Sequence, residues 1–400
     1  MMRPFRRLKG SVVTVVALLM GTVAGGCAGA QEAAKAAAGN PMIVYVGTYT
    51  GPKSKGIYTM RFDPATGKLT EPEVAAEIKN PSFVTIHPNR RFLYAVGELD
   101  EFRGKKGGAV SAFTIDPKSG KLTLMNQETT GGTGPCWVAC DATGKVALIA
   151  NYGGGSISAV PIKPDGSLGA PAAFVQHTGS SVNKSRQSEP HAHSLNATPD
   201  NRYAIAADLG LDKLMIYDLN TGDATLKPHD PPFATMPPGS GPRHLAFHPN
   251  NKFAFVCGEM GMTVTSFAYD GTRGALTEVQ TVSTLPTGTA PSDKYSTAEV
   301  QVHPSGKFLY VSNRGHDTIA GFSVDGQTGK LTPIGHTPSG GKTPRNFRID
   351  PTGQWLLAAN QGSDNVVVFR IDEKTGALSP TGTEAKVGSP VCVKFLTLVP

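Results

Sequence analysis

Residues Ala298 to Leu331 read AEVQVHPSGKFLYVSNRGHDTIAGFSVDGQTGKL. A short apolar run (VQV) meets a His-Pro-Ser-Gly turn, and an alternating strand (KFLYVSN) follows. After a loop comes a third strand (TIAGFSV), and a glycine turn leads into a fourth. The closing turn recurs along the chain with glycines at Gly67, Gly120, Gly166, Gly222, Gly274, Gly329 and Gly376. Successive gaps of 53, 46, 56, 52, 55 and 47 residues, each holding four short strands, are the mark of a radial array of blades. Seven such turns make an all-β, seven-bladed β-propeller with four antiparallel strands per blade, in spite of a 400-residue length that by itself suggests two or three domains.

The first-turn prolines Pro88, Pro199, Pro249, Pro304 and Pro351, with Ala142 in the same place, set a common register. Second strands end nine residues after each mark, at Gly97, Asn151, Asp208, Gly258, Asn313 and Asn360. The seventh such strand is MIVYVG from Met42, and its inner partner is VCVKFL at 391–396, so the N- and C-terminal strands are expected to close the ring. The propeller is thus assigned to 42–396, with a tail at 397–400.

Residues 1–30 read as an export signal: Arg3, Arg6, Arg7 and Lys9 precede an apolar run from Val12 to Val23. Two cleavage readings stand open, a lipobox at Cys27 and a small-residue site at Ala28-Gly29-Ala30. The first implies a lipid anchor to the membrane, and either implies an exported, periplasmic location. Residues 31–41 then form a flexible tether. The four basic residues of the signal account for four of the formal net charge of +7, leaving +3 and no basic stripe, which excludes nucleic acid as a partner. Cys136, Cys140, Cys257 and Cys392 show no CxxC spacing and read as small buried residues.

In an antiparallel blade the start of the innermost strand and the end of the second lie on one face. The long irregular segments 99–108, 176–190 and 286–297 fall there, whereas the His-Pro turns, with His87, His248 and His303, fall opposite and read as structural. Six residues before the register marks stand Ser82, Cys136, His193, Arg243, Ala298 and Arg345. The next step gives Phe83, Trp137, Ser194, His244, Glu299 and Asn346. Ten residues after the marks stand Glu98, Tyr152, Leu209, Glu259, Arg314 and Gln361. All are expected to converge on one mouth of the central channel, where His191 and Asp208 also fall. Bases and cations together suit an anionic small molecule. His191, His244, Glu299, Arg345, Asn151 and Asn313 are the candidates for holding it. His191 and His193 on one side of a strand could seat a metal with Asp208 or Glu259, but no compact ligand motif supports one, and neither metal nor cofactor is expected. No Gly-x-Ser-x-Gly, His-Glu-x-x-His or nucleotide loop occurs, which leaves metal-free hydrolysis of a reactive ester as the chemistry.

VGTYT (46–50), NYGGGS (151–156), EPHAHS (189–194), GPRHLAFHP (241–249), YVSNRGHDTI (310–319) and PRNFRIDPTG (344–353) together resemble the seven-bladed lactonase family, which includes propeller-type 6-phosphogluconolactonases and a carboxymuconate cyclase. The resemblance implies opening of a lactone substrate. It also implies a catalytic group of one His, two Arg and one Glu, falling here on His193 (or His191), Arg243, Glu259 and Arg314. A departure is Gly258, where the family commonly has Asn, with the expected loss of a neighbouring hydrogen bond. YVSNRGHDTI also resembles a surface-propeller repeat built on Tyr-Val-Thr-Asn, which implies instead a non-catalytic binding scaffold. Nothing in the sequence speaks to oligomeric state.

Overall fold

The computed structural model describes residues 1–2 and 40–398; the export signal, Cys27, most of the tether and the end of the tail lie outside them. Seven antiparallel sheets form the blades, and the one regular helical turn among the described residues is the 3-10 segment Gln361–Ser363. Six blades run in chain order with four strands each. The seventh is composite: Pro390–Thr397 is its inner strand, followed outward by Met42–Thr48 and Gly56–Asp63. Its outer edge is shared by two pieces, Lys68–Leu69 and Glu73–Glu77. Pairing of Met42 with Thr397 through Gly47 with Cys392 closes the ring as expected.

Three of the repeated turn glycines are clasps between blades. Tyr45, Tyr94 and Tyr310, all fully buried on second strands, donate their hydroxyls to the carbonyls of Gly120, Gly166 and Gly376 in the closing turn of the next blade, at 2.9, 2.9 and 2.7 Å. Those glycines have φ of 76°, 89° and 73°, a conformation that costs a side-chain-bearing residue energy. The turn histidines do the same on the first hairpins: Nε2 of His87, His248 and His303 lies 2.8, 2.9 and 2.7 Å from the carbonyl oxygens of Gly144, Gly306 and Gly353. Hence their structural reading holds. Second strands are buried along their whole length, packed on both faces by neighbouring blades, which is why they read as unbroken apolar runs.

Candidate functional site

The inner strands aim their first residues into the channel by a shared device. In blades two to six the pairing of inner and second strands shifts register at the mouth end, between 135 and 137, 192 and 194, 242 and 245, 297 and 300, and 344 and 346. A bulge frees a residue from the ladder and turns its side chain. Cys136, His193, Arg243, Ala298 and Arg345 occupy or adjoin these bulges, and the residues just past the second strands complete the mouth.

Its centre is the buried carboxylate of Glu259. Oε2 accepts from Arg243 Nε at 3.0 Å and Arg314 Nη2 at 2.9 Å, and Oε1 from Arg186 Nη2 at 2.8 Å. His193 Nε2 lies 3.9 Å from Oε2. Burial works to raise the Glu259 pKa, yet Arg314, Arg243 and His193 outweigh it and hold the carboxyl well below its ordinary range. Burial first, then Arg243 and His244, push the His193 imidazole well below the ordinary histidine value, so it is neutral at pH 7. Its Nδ1 side faces the Cys136 sulfur at 3.5 Å. Burial also pushes Arg314 down to about 10, with Glu259 opposing and Arg243 and Arg345 reinforcing; its Nε is buried without a partner.

On the other side, Arg345 donates to Tyr49 Oη at 3.2 Å, Tyr49 donates to Glu98 at 2.9 Å, and Ser82 donates to the same carboxylate. The resulting cavity of about 280 Å³ is small for a ligand site, which commonly spans about 300–1,000 Å³. Four guanidiniums, of Arg186, Arg243, Arg314 and Arg345, face two carboxylates, of Glu98 and Glu259. A surplus of positive charge around a polar opening favours an anionic guest.

Of the sequence candidates, His193, Arg243, Glu259, Arg314 and Arg345 meet at this mouth. His191 stacks on Tyr152 at 4.6 Å on the rim and its ring points its Nδ1 at the Tyr152 carbonyl, 3.0 Å away. His244 and Glu299 lie one layer deeper, Nδ1 to Oε2 3.2 Å. Three placements differ from expectation. Asp208 does not reach the mouth: its Oδ2 pairs with buried His177 Nδ1 at 2.6 Å, and Tyr217 Oη lies 2.9 Å from the His177 Nε2. Asn313 and Asn151 are fully buried between blades rather than open to substrate. Asn313 exchanges hydrogen bonds with Thr284, and Asn151 donates to Ser156 and Ser158. Among the described residues no three His, Cys, Asp or Glu side chains stand together in a group that could hold a metal ion.

Arg186 was not singled out in the sequence, since it lies mid-way in the polar insert 176–190 with no register mark to place it. Tyr49 lies two residues past the Gly47 end of the seventh second strand, one step beyond the position that the same counting marks, Thr48. The departure at Gly258 has the expected effect. In blades two and five the equivalent Asn amides reach Ser156 and Thr318 Oγ at 3.2 and 3.4 Å, whereas Thr263 Oγ1, in the matching place of blade four, has no partner.

Comparison with known proteins places the fold in one family. Residues 43–395 match the profile of a family described as "Lactonase, 7-bladed beta-propeller". The 6-phosphogluconolactonase of Bacillus subtilis is 39% identical over 280 residues, 70% of this chain and 77% of that one. That of Formosa agariphila is 34% identical over 275 residues, 68% and 75% of the two chains. Among solved structures, a periplasmic gluconolactonase of Pseudomonas aeruginosa superposes with a TM-score of 0.84 at 34% identity, covering 90% of this chain and all (100%) of that one.

Proposed function

This chain belongs to the seven-bladed β-propeller lactonase family, and from that premise we propose that it opens an anionic, sugar-type lactone at the mouth formed by His193, Arg243, Glu259 and Arg314. As a lactonase it is an enzyme acting on a small molecule, and the reading as a passive surface scaffold is not favoured. The observation that carries the site assignment is a neutral imidazole held 3.9 Å from a carboxylate that three guanidiniums surround at 2.8–3.0 Å.

In the proposed mechanism His193 takes a proton from water as the water oxygen bonds to the lactone carbonyl carbon. Arg314 and Arg243 offset the charge that develops on the carbonyl oxygen, a kind of stabilisation worth about 10² to 10³ in rate per donor. The bond from acyl carbon to ring oxygen then breaks, and the imidazolium returns its proton to that oxygen. The product is a hydroxy acid, ionised to a carboxylate at pH 7. Glu259 is a poor base, since its guanidinium partners favour the charged form. Its role is to fix Arg243 and Arg314 and to orient His193. Arg186 and Arg345 remain to attract the acidic group of the substrate.

We place the enzyme outside the cytoplasm on the strength of its leader sequence and of the P. aeruginosa relative named as periplasmic. Fractionation of cells carrying wild type and Cys27→Ala tests export and anchoring together: an anchored protein leaves the membrane fraction in the variant, and a cytoplasmic wild type overturns the placement. For the activity, acid release from a panel of neutral, carboxylated and phosphorylated lactones should show turnover, with Arg314→Ala and His193→Ala each losing about 10² to 10³ in kcat/KM. Variants as active as wild type, at unchanged melting temperature, would sink the assignment.

A further inference from the structure

The catalytic mouth ends on a floor. One step along the inner strands from His193 and Arg243, Phe83 and Trp137 stack at 4.3 Å, and His244 meets the Trp137 edge at 4.7 Å. His244 also holds Glu299, which accepts a second bond from the Asn346 amide. Beneath this floor is another cavity, of about 480 Å³, opening on the face of the His-Pro turns.

Its wall is built by the same inner strands, three residues further than the mouth positions: Ala139, Asn196, Ala246, Gln301, Arg348 and Lys394. Two are cations, two are amides and none is acidic. Of the lining carboxylates, Asp350 spends both oxygens on the Trp355 and Thr352 amides and the Thr352 hydroxyl. Glu299 is engaged in the floor. The Gln301 amide is bound to the backbone of Phe347 and Ile349. That leaves donors. Asn196 Nδ2 has no partner. Among the described residues neither the Arg348 guanidinium nor the Lys394 ammonium makes a hydrogen bond or ion pair. Lys394 Nζ rests 4.6 Å from the centre of the Phe83 ring. Lys394 is half-buried, and burial pushes its pKa down, whereas Arg348 is exposed.

We propose that this lower cavity is a second ligand site, separate from the lactone site, that binds a small oxyanion through Arg348, Lys394 and the Asn196 amide. Phosphate and carboxylate groups share the needed chemistry, acceptor oxygens that a guanidinium and an ammonium can bind together. The cavity holds more than a bare ion, so a small organic phosphate or polycarboxylate fits it. Only the Glu299–His244 floor separates it from Arg243, whose Nη1 lies 3.0 Å from His244 Nε2.

Calorimetric titration of the exported chain with inorganic phosphate and, separately, with citrate tests the proposal. Saturable binding of either anion is expected, the tighter one naming the head group. Arg348→Gln and, as a second variant with an independent packing risk, Lys394→Met should each weaken binding about tenfold or more, with lactone turnover unchanged. Arg314→Ala should leave this binding intact. Absence of saturable binding by wild type would overturn the site. So would binding that Arg314→Ala abolishes and Arg348→Gln leaves unchanged, because the anion would then sit at the upper mouth. Lactone turnover is read in a separate assay, so a failed lactonase assignment and a failed lower site give different results.

Discussion

Surrounded by Arg243, His244 and Arg345 and almost out of reach of solvent, the His193 imidazole resists protonation. Its neutral form is the base, so kcat/KM should stay level from pH 8 down past the ordinary histidine value of about 6.5 and fall only in more acidic solution. A pH–rate profile with its acid midpoint at or above 6.5 would point to another, exposed base. The sequence carries no mark of this burial. Residue type and position were legible there; the guanidiniums around His193 come from other blades, and their distances depend on closure of the ring. For the same reason Arg186 escaped notice, because its place at the mouth is set by the bonds it makes to Tyr152 and Glu259 at 3.1 and 2.8 Å. Asp208 shows the opposite error: a charged residue in the right column was taken for a site residue, when His177, from that same insert, had claimed it.

Strand positions were counted from turn prolines, and the second strands fell where that count put them because hairpin turns of fixed length fix register. Bulges at the start of the inner strands carry no comparable sequence mark, yet they decide which side chains enter the channel. The ends of the second strands behave differently from expectation for a related reason. The side chains of Asn151 and Asn313 fold back into the sheet to bond the first residue of the third strand, serving as local ties rather than ligand contacts. Blade four lacks this tie. Thr263→Val should therefore be neutral or slightly stabilising, since it removes a buried hydroxyl without a partner, whereas Thr318→Val should cost about 1 to 2 kcal/mol for its bonds with Asn313 and His316. Urea unfolding of the two variants checks the difference, and equal losses would show that Thr263 is satisfied in solution.

Closure by strands from the two ends was visible in the sequence because the repeat region opens with a second strand, Met42–Thr48, and finishes with an inner one, Pro390–Thr397. This arrangement leaves the seventh blade without an inner strand if residues 390–400 are removed. Such a truncation should lose cooperative unfolding and become aggregation-prone, since Met42–Thr48 would present an unpaired apolar edge. A truncated chain that melts as sharply as the full one would show that the ring does not depend on this strand. The pairing of Met42 with Thr397 has one more consequence. Second strands begin, and inner strands finish, on the side away from His193 and Arg314, so Met42 and Thr397 both stand on the underside of the disc. A peptide joined ahead of Met42 or after Thr397 would therefore leave from the face of the His-Pro turns, clear of the mouth around His193 and Arg314.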